Sequence, residues 1–405
     1  MKLSIFTTLI CLSASGLLQA EPVEILSFES IPGRIRHSNP TLSAARFRIN
    51  EALGKLKQSG RLSNPSLETG LDHNVRSAEG RVEIGISQKF PLTNRLALEK
   101  EISLAEVDAA EAEVRNVERL LIAQAREEFI KALSIRERMK LLEKQRSLAS
   151  ELASFISDAS ERGEISTLDA AQARLAALRL TTEERRLEAE EIAVLGILRP
   201  LVGIDATAKI KLSGSPPPIA LPANAVQKRP DLAAARHGLI AAGNEIALEQ
   251  AKRRDDLEAT IFAAGERTED APDGLENEGI IGFKLSIPLP FWNDNQGNID
   301  AATARRDRKA QELNALLRDI HHEAQSQLAM MKQWQTLIDE LDDQLLPMAE
   351  EQTSLLEEAY RQGQGDLQSV LASREQILEL LASRLDATRE FQLARIRYQT
   401  ALGKP

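Results

Sequence analysis

His321-His322-Glu323 is the only histidine cluster in this chain, and the spacing works against chelation. Neighbouring residues on a helix point about 100° apart, so the two imidazoles cannot easily close on one ion. With 5 histidines and 1 cysteine in the whole chain, the donor sets that build zinc sites are scarce. No glycine-rich phosphate loop follows a strand-like segment, and no serine or cysteine nucleophile motif occurs. These residues point away from an enzyme and call for no cofactor and no metal. What the chain has in abundance is carboxylate: 61 Asp and Glu against 51 Lys and Arg, a net charge of −10. Nucleic acid is excluded as a partner, because phosphate binding needs a basic face. Most of the acids read as solvated helix surface, with some able to line a conduit and favour cations.

The elements that would position such charges are unusual. From about Arg95 to Ser160 there is no proline, and Leu98, Ile102, Ala105, Ala109, Ala112 and Val117 form an apolar stripe at helical spacing. Leu168 to Leu198 continues in the same style, as do Ile299 to Leu346 and Leu367 to Leu402. Gly163 breaks the first pair of helices, and Gly363-Gln364-Gly365 breaks the second. At ~1.5 Å per residue, a helix of ~60 residues approaches ~90 Å, a coiled-coil-like rod.

The two halves also read as copies of each other. Asn39-Pro40-Thr41-Leu42-Ser43-Ala44-Ala45-Arg46 returns as Arg229-Pro230-Asp231-Leu232-Ala233-Ala234-Ala235-Arg236. Phe90-Pro91-Leu92 returns as Ile287-Pro288-Leu289, Gly163 as Gly363, and Leu201-Val202-Gly203 as Ala401-Leu402-Gly403. Order and spacing are kept, so the expectation is two whole structural units, residues 21–203 and 224–405, joined by a Pro-rich linker at 204–223. Residues 1–20 read as an export signal: Lys2, an apolar run from Leu3 to Leu18, and small residues before Glu21. An uncleaved anchor helix is the alternative. Cys11 lies inside that run without the small preceding residue of a lipidation site.

Between the helices each copy carries two segments that alternate apolar and polar residues. They are Leu67, Thr69, Leu71 and Val75, then Val82, Ile84, Ile86 and Phe90; in the second copy, Leu257, Ala259, Ile261 and Ala263, then Ile281, Phe283, Leu285 and Ile287. Such alternation fits soluble hairpins and membrane strands alike. No later stretch offers ~18 uninterrupted apolar residues, so membrane entry, if it occurs, must be through strands. Four strands leave two open edges and a barrel needs about eight, so copies of the chain must share one barrel; three copies would supply twelve. The acidic loop from Arg267 to Gly279 suits an external tip, while Phe90, Phe291 and Trp292 at the opposite ends suit a membrane interface.

The duplicated helix–strand–strand–helix unit, the Asn39-Pro40-Thr41-Leu42-Ser43-Ala44-Ala45 opening and the glycine-marked hairpins resemble the TolC-like outer-membrane efflux factors. The likeness covers about residues 30–403. Within it, Ile287-Pro288-Leu289-Pro290-Phe291-Trp292-Asn293-Asp294-Asn295-Gln296-Gly297-Asn298-Ile299 is similar to the heavy-metal branch of the cobalt-zinc-cadmium type. The resemblance implies an α+β membrane protein: a homotrimer whose long helices form a periplasmic coiled-coil barrel below a shared twelve-stranded outer-membrane β-barrel. It implies docking through a periplasmic adaptor (membrane fusion protein) onto an inner-membrane pump, of the RND type in that branch, with heavy-metal cations as cargo. Small organic toxicants or secreted proteins are the alternative cargoes, and a non-channel periplasmic scaffold the alternative architecture.

The same resemblance places a periplasmic gate at the helical tips. Asp169 and Tyr360 match positions where the family has a gate-locking hydrogen-bond pair, and Asp366 and Ser369 lie in the constriction region. The family's locking arginine would fall on Gly365, and its paired ring aspartates on Ser369 and Ala372, so part of that chemistry is missing here. The implied adaptor-contact turns are Gly163-Glu164-Ile165 and Gly363-Gln364-Gly365. Read without the resemblance, these are helix-ending glycines and carboxylates at helix starts.

Overall fold

The computed structural model describes residues 23–164, 166–214, 217–221, 229–270 and 274–404. The segment read as an export signal, Ile165, parts of the linker and the centre of the acidic loop lie outside the described residues. After β1 (Val23–Ser27) come α1 (Ile31–Ser38) and α2 (Pro40–Gln58), then the hairpin of β2 (Ser66–His73) and β3 (Gly80–Phe90). The chain next runs through α3 (Arg95–Glu161), 67 residues long, and returns as α4 (Thr167–Val202). Strand β4 (Lys209–Ser213) leads to α5 (Pro230–Ala251), β5 (Leu257–Asp270) and β6 (Gly274–Ser286). Helix α6 (Gln296–Glu340), a π turn (Leu341–Leu345), α7 (Leu346–Arg361) and α8 (Leu367–Ala401) complete the chain. The order helix, strand, strand, long helix, returning helix thus occurs twice.

The π turn corrects the reading of 299–346 as one unbroken helix. Pro347 has no N–H, and in an α-helix its ring would collide with the carbonyl four residues back, at Asp343. Widening the turn relieves this: the N–H of Leu346 donates to the carbonyl of Leu341, five residues back. Arg384 on α8 fixes the widened turn by donating from Nε to Asp342 and from Nη2 to Asp342 Oδ2 at 3.0 Å. The first long helix has no proline at the matching level and runs straight through.

The expectation of four strands is met in number by one sheet, ordered β2-β3-β5-β6, but it missed a second sheet. Strands β1 and β4 pair in parallel, Val23 opposite Lys209 through Ser27 opposite Ser213. The stretch read as a Pro-rich linker therefore holds a strand. Leu26 and Ile210 point from this small sheet into the main core, where Ile31, Ile35, Leu42, Ile122, Phe129, Leu198 and Val202 are buried. Phe28 meets Phe129 edge to face at 6.2 Å. A five-residue parallel pair has little stability alone, and this core supplies the missing burial.

A buried charge network binds the two halves together. Arg119 of α3 is 3% exposed; it donates to the carbonyl of Thr400 and to Asn116 Oδ1, and stands 3.6 Å from Asp231. Arg229 donates to Asp231 Oδ2 at 2.6 Å, to Glu323 Oε2 at 2.9 Å and to the carbonyl of Ala401 at 3.2 Å. Glu323 is thereby engaged in an ion pair, and the neighbouring His321 and His322 rings lie edge to face 6.1 Å apart. Burial pushes the Asp231 carboxyl up, but the Arg229 hydrogen bonds and the Arg229 and Arg119 charges more than offset it and hold it below the ordinary carboxylate value.

Candidate functional site: the four-stranded sheet and the helical tips

Antiparallel register decides which side chains share a face of the larger sheet. Leu67 lies opposite Ile86, Ile86 opposite Ile261, and Ile261 opposite Phe283. The same face carries Leu71, Val82, Ile84, Ala263, Ile281 and Leu285. No described residue covers it: Leu71 is 78% exposed, Ile281 86% and Phe283 65%. The opposite face holds most of the charged residues together with Phe262, Ala264 and Ile280, and it is sheltered at its centre, where Ser87 and Thr260 are only 2% and 5% exposed. A soluble sheet buries its apolar side and wets its polar side. This sheet is inverted, the arrangement of a strand wall with hydrocarbon outside and water inside.

The charges on the sheltered face are mostly acidic. Glu68, Asp72, Glu83, Glu258, Glu266, Glu276 and Glu278 stand there against Arg81, Lys89 and Lys284. One row across the sheet reads Asp72, Arg81, Glu266, Glu278. At the helical end of the sheet, Phe90 closes β3 and is 43% exposed, while Phe291 and Trp292 are 74% and 96% exposed. The last two rings meet edge to face at 6.2 Å. Phe90, opposite Leu257 on the apolar face, and the Phe291–Trp292 pair, in the connection from β6 to α6, are all at chain positions toward the helical end of the sheet.

The far ends of the helical pairs are built alike. Gly163 takes φ +78° and Gly363 φ +70°, the left-handed region that favours glycine. Gly163 N–H donates to Ser160 and Glu164 N–H to Ala159; Gly363 N–H donates to Tyr360 and Gln364 N–H to Ala359. Glu164 also pairs with Arg162, exposed to solvent. Gly365 packs its backbone against the end of α7, where a Cβ would lie 3.2 Å from the Tyr360 nitrogen.

Helix starts complete the tips. Ser166 caps α4 by accepting from Leu168 N–H at 3.1 Å. Asp366 caps α8, accepting from Ser369 N–H at 2.9 Å and from Ser369 Oγ at 2.6 Å. These bonds hold the Asp366 carboxyl below its usual range. Tyr360 packs with Ile156, Ala173 and Leu367 between the two hairpins. Burial pushes its phenol up and the charge of Asp169 adds to this, but no hydrogen bond joins the two within this protomer. Above them Thr353 and Ser373 share a buried hydrogen bond, and Arg374 donates to Glu357 at 2.8 Å. Sequence reasoning did not find this rung. Residue spacing on the two helices was its only signal, because serine and threonine in a helix read as surface.

Among the described residues, no group of three or more His, Cys, Asp and Glu side chains is arranged to hold a metal ion. No described helix is long and apolar enough to cross a membrane.

Comparison with known proteins agrees with this geometry. The profile of the family described as Outer membrane efflux protein matches residues 31–190 and 221–404. Over 395 residues the chain is 25% identical to the cobalt-zinc-cadmium resistance protein CzcC of Cupriavidus metallidurans, covering 94% of this chain and 87% of that protein. Among solved structures, CusC, described in terms of folding and transmembrane channel formation, superposes with a TM-score of 0.78 at 18% identity over 93% of this chain and 92% of its own. The outer membrane protein VceC of Vibrio cholerae gives a TM-score of 0.75 at 17% identity, over 93% and 96%.

Proposed function

The chain belongs to the outer membrane efflux protein family, and from that premise we propose that it is the exit duct of a tripartite efflux assembly. Three copies share one twelve-stranded β-barrel in the outer membrane, and their long helices continue as a periplasmic barrel. The single observation that carries this reading is the inverted sheet, whose apolar face is exposed and whose polar face is sheltered at its centre. Among the described residues, its outer strands, β2 and β6, each have a strand partner on one side only. Lipid does not tolerate open strand edges, so neighbouring copies must pair them. At the opposite end, the Gly163 and Gly363 turns are the surfaces offered to a periplasmic adaptor, and through it to an inner-membrane pump of the RND type. Tyr360, Asp169, Asp366 and Ser369 lie where such a duct would close.

The cargo proposed is heavy-metal cations. The acidic excess on the sheltered face supports it, because a low-dielectric bore lined by one sign of charge concentrates the opposite sign. The name of the cobalt-zinc-cadmium resistance relative supports it too. An exit duct of this kind needs no resident metal site, since ion choice can be made upstream in the pump. Deleting the gene and measuring growth on zinc, cobalt, cadmium, copper and silver salts, beside dyes and detergents, tests the cargo. Metal sensitivity is expected; sensitivity confined to organic compounds overturns the metal assignment. Mass measurement of the protein extracted in mild detergent tests the assembly, with a trimer expected and a folded, inserted monomer contradicting it.

A further inference from the structure

One row of the sheltered face sets an aromatic ring between two glycines. Reading across the strands it runs Glu68, Gly85, Phe262, Gly282, each directly opposite the next. Phe262 is thus an aromatic side chain on the polar face with a glycine on either side. Neighbouring strands hold facing Cβ atoms about 5 Å apart, so a phenylalanine between two ordinary residues has to stand away from the sheet. Here it lies down instead. A Cβ placed on Gly282 would fall 2.4 Å from Phe262 Cζ and 2.7 Å from Cε1, so the far edge of the ring occupies the space a side chain would fill. A Cβ on Gly85 would lie 3.1 Å from Phe262 Cβ. The Arg81 guanidinium sits 5.8 Å from the ring centroid, and its own Nη2 is held by Glu83 Oε2 at 2.6 Å.

We infer that Gly85 and Gly282 form a recess that keeps Phe262 folded against the wall, and that the posture of this ring sets the usable bore of the β-barrel at this level. This rests on the assignment of the sheltered face to the lumen. Three copies would place three rings at one level. Folded down, they leave the passage wide; lifted out of the recess, they narrow it together. The clash made by a new Cβ at Gly282 is with the tip of a side chain, so the ring gives way while the strand pairing is kept.

Lys284 lies on the same face, deeper than Phe262 when approached from the β5–β6 hairpin. A thiol reagent added from outside must pass the ring to reach a cysteine there. The test uses Lys284→Cys with Cys11→Ser, Cys11 being the chain's one cysteine, in trimers reconstituted in vesicles. Labelling rates are measured with a small and a bulky impermeant maleimide. Gly282→Ala should slow the bulky reagent several-fold while sparing the small one, and adding Phe262→Ala should restore the rate. Phe262→Trp, whose ring exceeds the recess, should slow it without touching either glycine. Equal bulky-reagent rates in all these variants, or failure of Phe262→Ala to rescue Gly282→Ala, overturns the inference and leaves the duct intact. Failure of even the small reagent to reach Lys284→Cys from outside overturns the luminal assignment, and the inference with it.

Discussion

Ile280 and Ile281 are adjacent, chemically identical and on opposite faces of β6, which makes them a sharp probe of the inverted sheet. Ile281 lies opposite Ala263 on the apolar face, and Ile280 opposite Ala264 on the sheltered one. Ile281 stands five residues from Ser286, where β6 ends at the helical side. A rise of ~3.4 Å per residue and a tilt of ~40° put it roughly 13 Å above that end, near the middle of an apolar band ~25 Å tall. Arginine at that depth on the lipid face costs about 2–4 kcal/mol per chain, or roughly 6–12 kcal/mol for a trimer carrying three. Ile280→Arg, facing water, avoids this cost. Were the sheet in water on both sides, the order would reverse, since Ile281 is 86% exposed and an exposed isoleucine is replaced by arginine at almost no cost. The assay is urea denaturation of each variant refolded into phospholipid vesicles, read as trimer surviving on unheated gels. Ile281→Arg should fold poorly or lose trimer at clearly lower urea, and Ile280→Arg should track the parent. Equal tolerance of both substitutions, or greater damage from Ile280→Arg, refutes the assignment of faces.

Three further outcomes follow from the helical portion. Arg119→Met removes a buried partner of Asp231 and the Thr400 carbonyl and should cost about 3–5 kcal/mol, read as a lower unfolding midpoint; a midpoint within error of the parent would show the network to be dispensable. Because the folded pKa of Asp231 is lowered, its contribution is present above the unfolded carboxylate pKa of ~3.9 and is lost as pH falls through the folded value. Asp231→Asn should therefore flatten the acid limb of stability against pH below about 4, and an unchanged limb would assign acid sensitivity elsewhere. At the tips, Tyr360→Phe with Asp169→Ala should raise conductance if contacts worth ~1–3 kcal/mol hold the duct closed; unchanged conductance removes both residues from the gate.

Much of the architecture was legible in the chain because its signals are local and repeated. The stripe beginning at Leu98 and Ile102 reports a helix at every turn, and Gly163 and Gly363 mark ends that only a left-handed residue closes in this way. Strand alternation was equally plain at Val82, Ile84 and Ile86. The small sheet was not legible: β1 and β4 are five residues each and pair Val23 with Lys209, a contact across the whole first half with no local trace. The π turn had a signal, Pro347, hidden inside a long apolar periodicity. Arg119 looked like any surface arginine on a charged helix, and only the tertiary fold shows it buried against α5 and α8. Facing glycines around Phe262 are likewise a matter of register, which separate strands do not reveal until they are paired. In the proposed trimer the pore would close between protomers, so the tip residues can be located within one chain while their partners cannot.

The most direct test of the duct itself is single-channel recording from the purified trimer in a planar bilayer, with a salt gradient across it. Discrete current steps are expected, with a reversal potential of the sign that favours cations, set by the excess of Glu and Asp on the sheltered face. A folded, inserted trimer that passes no current, or one whose reversal potential favours anions, would contradict the duct assignment.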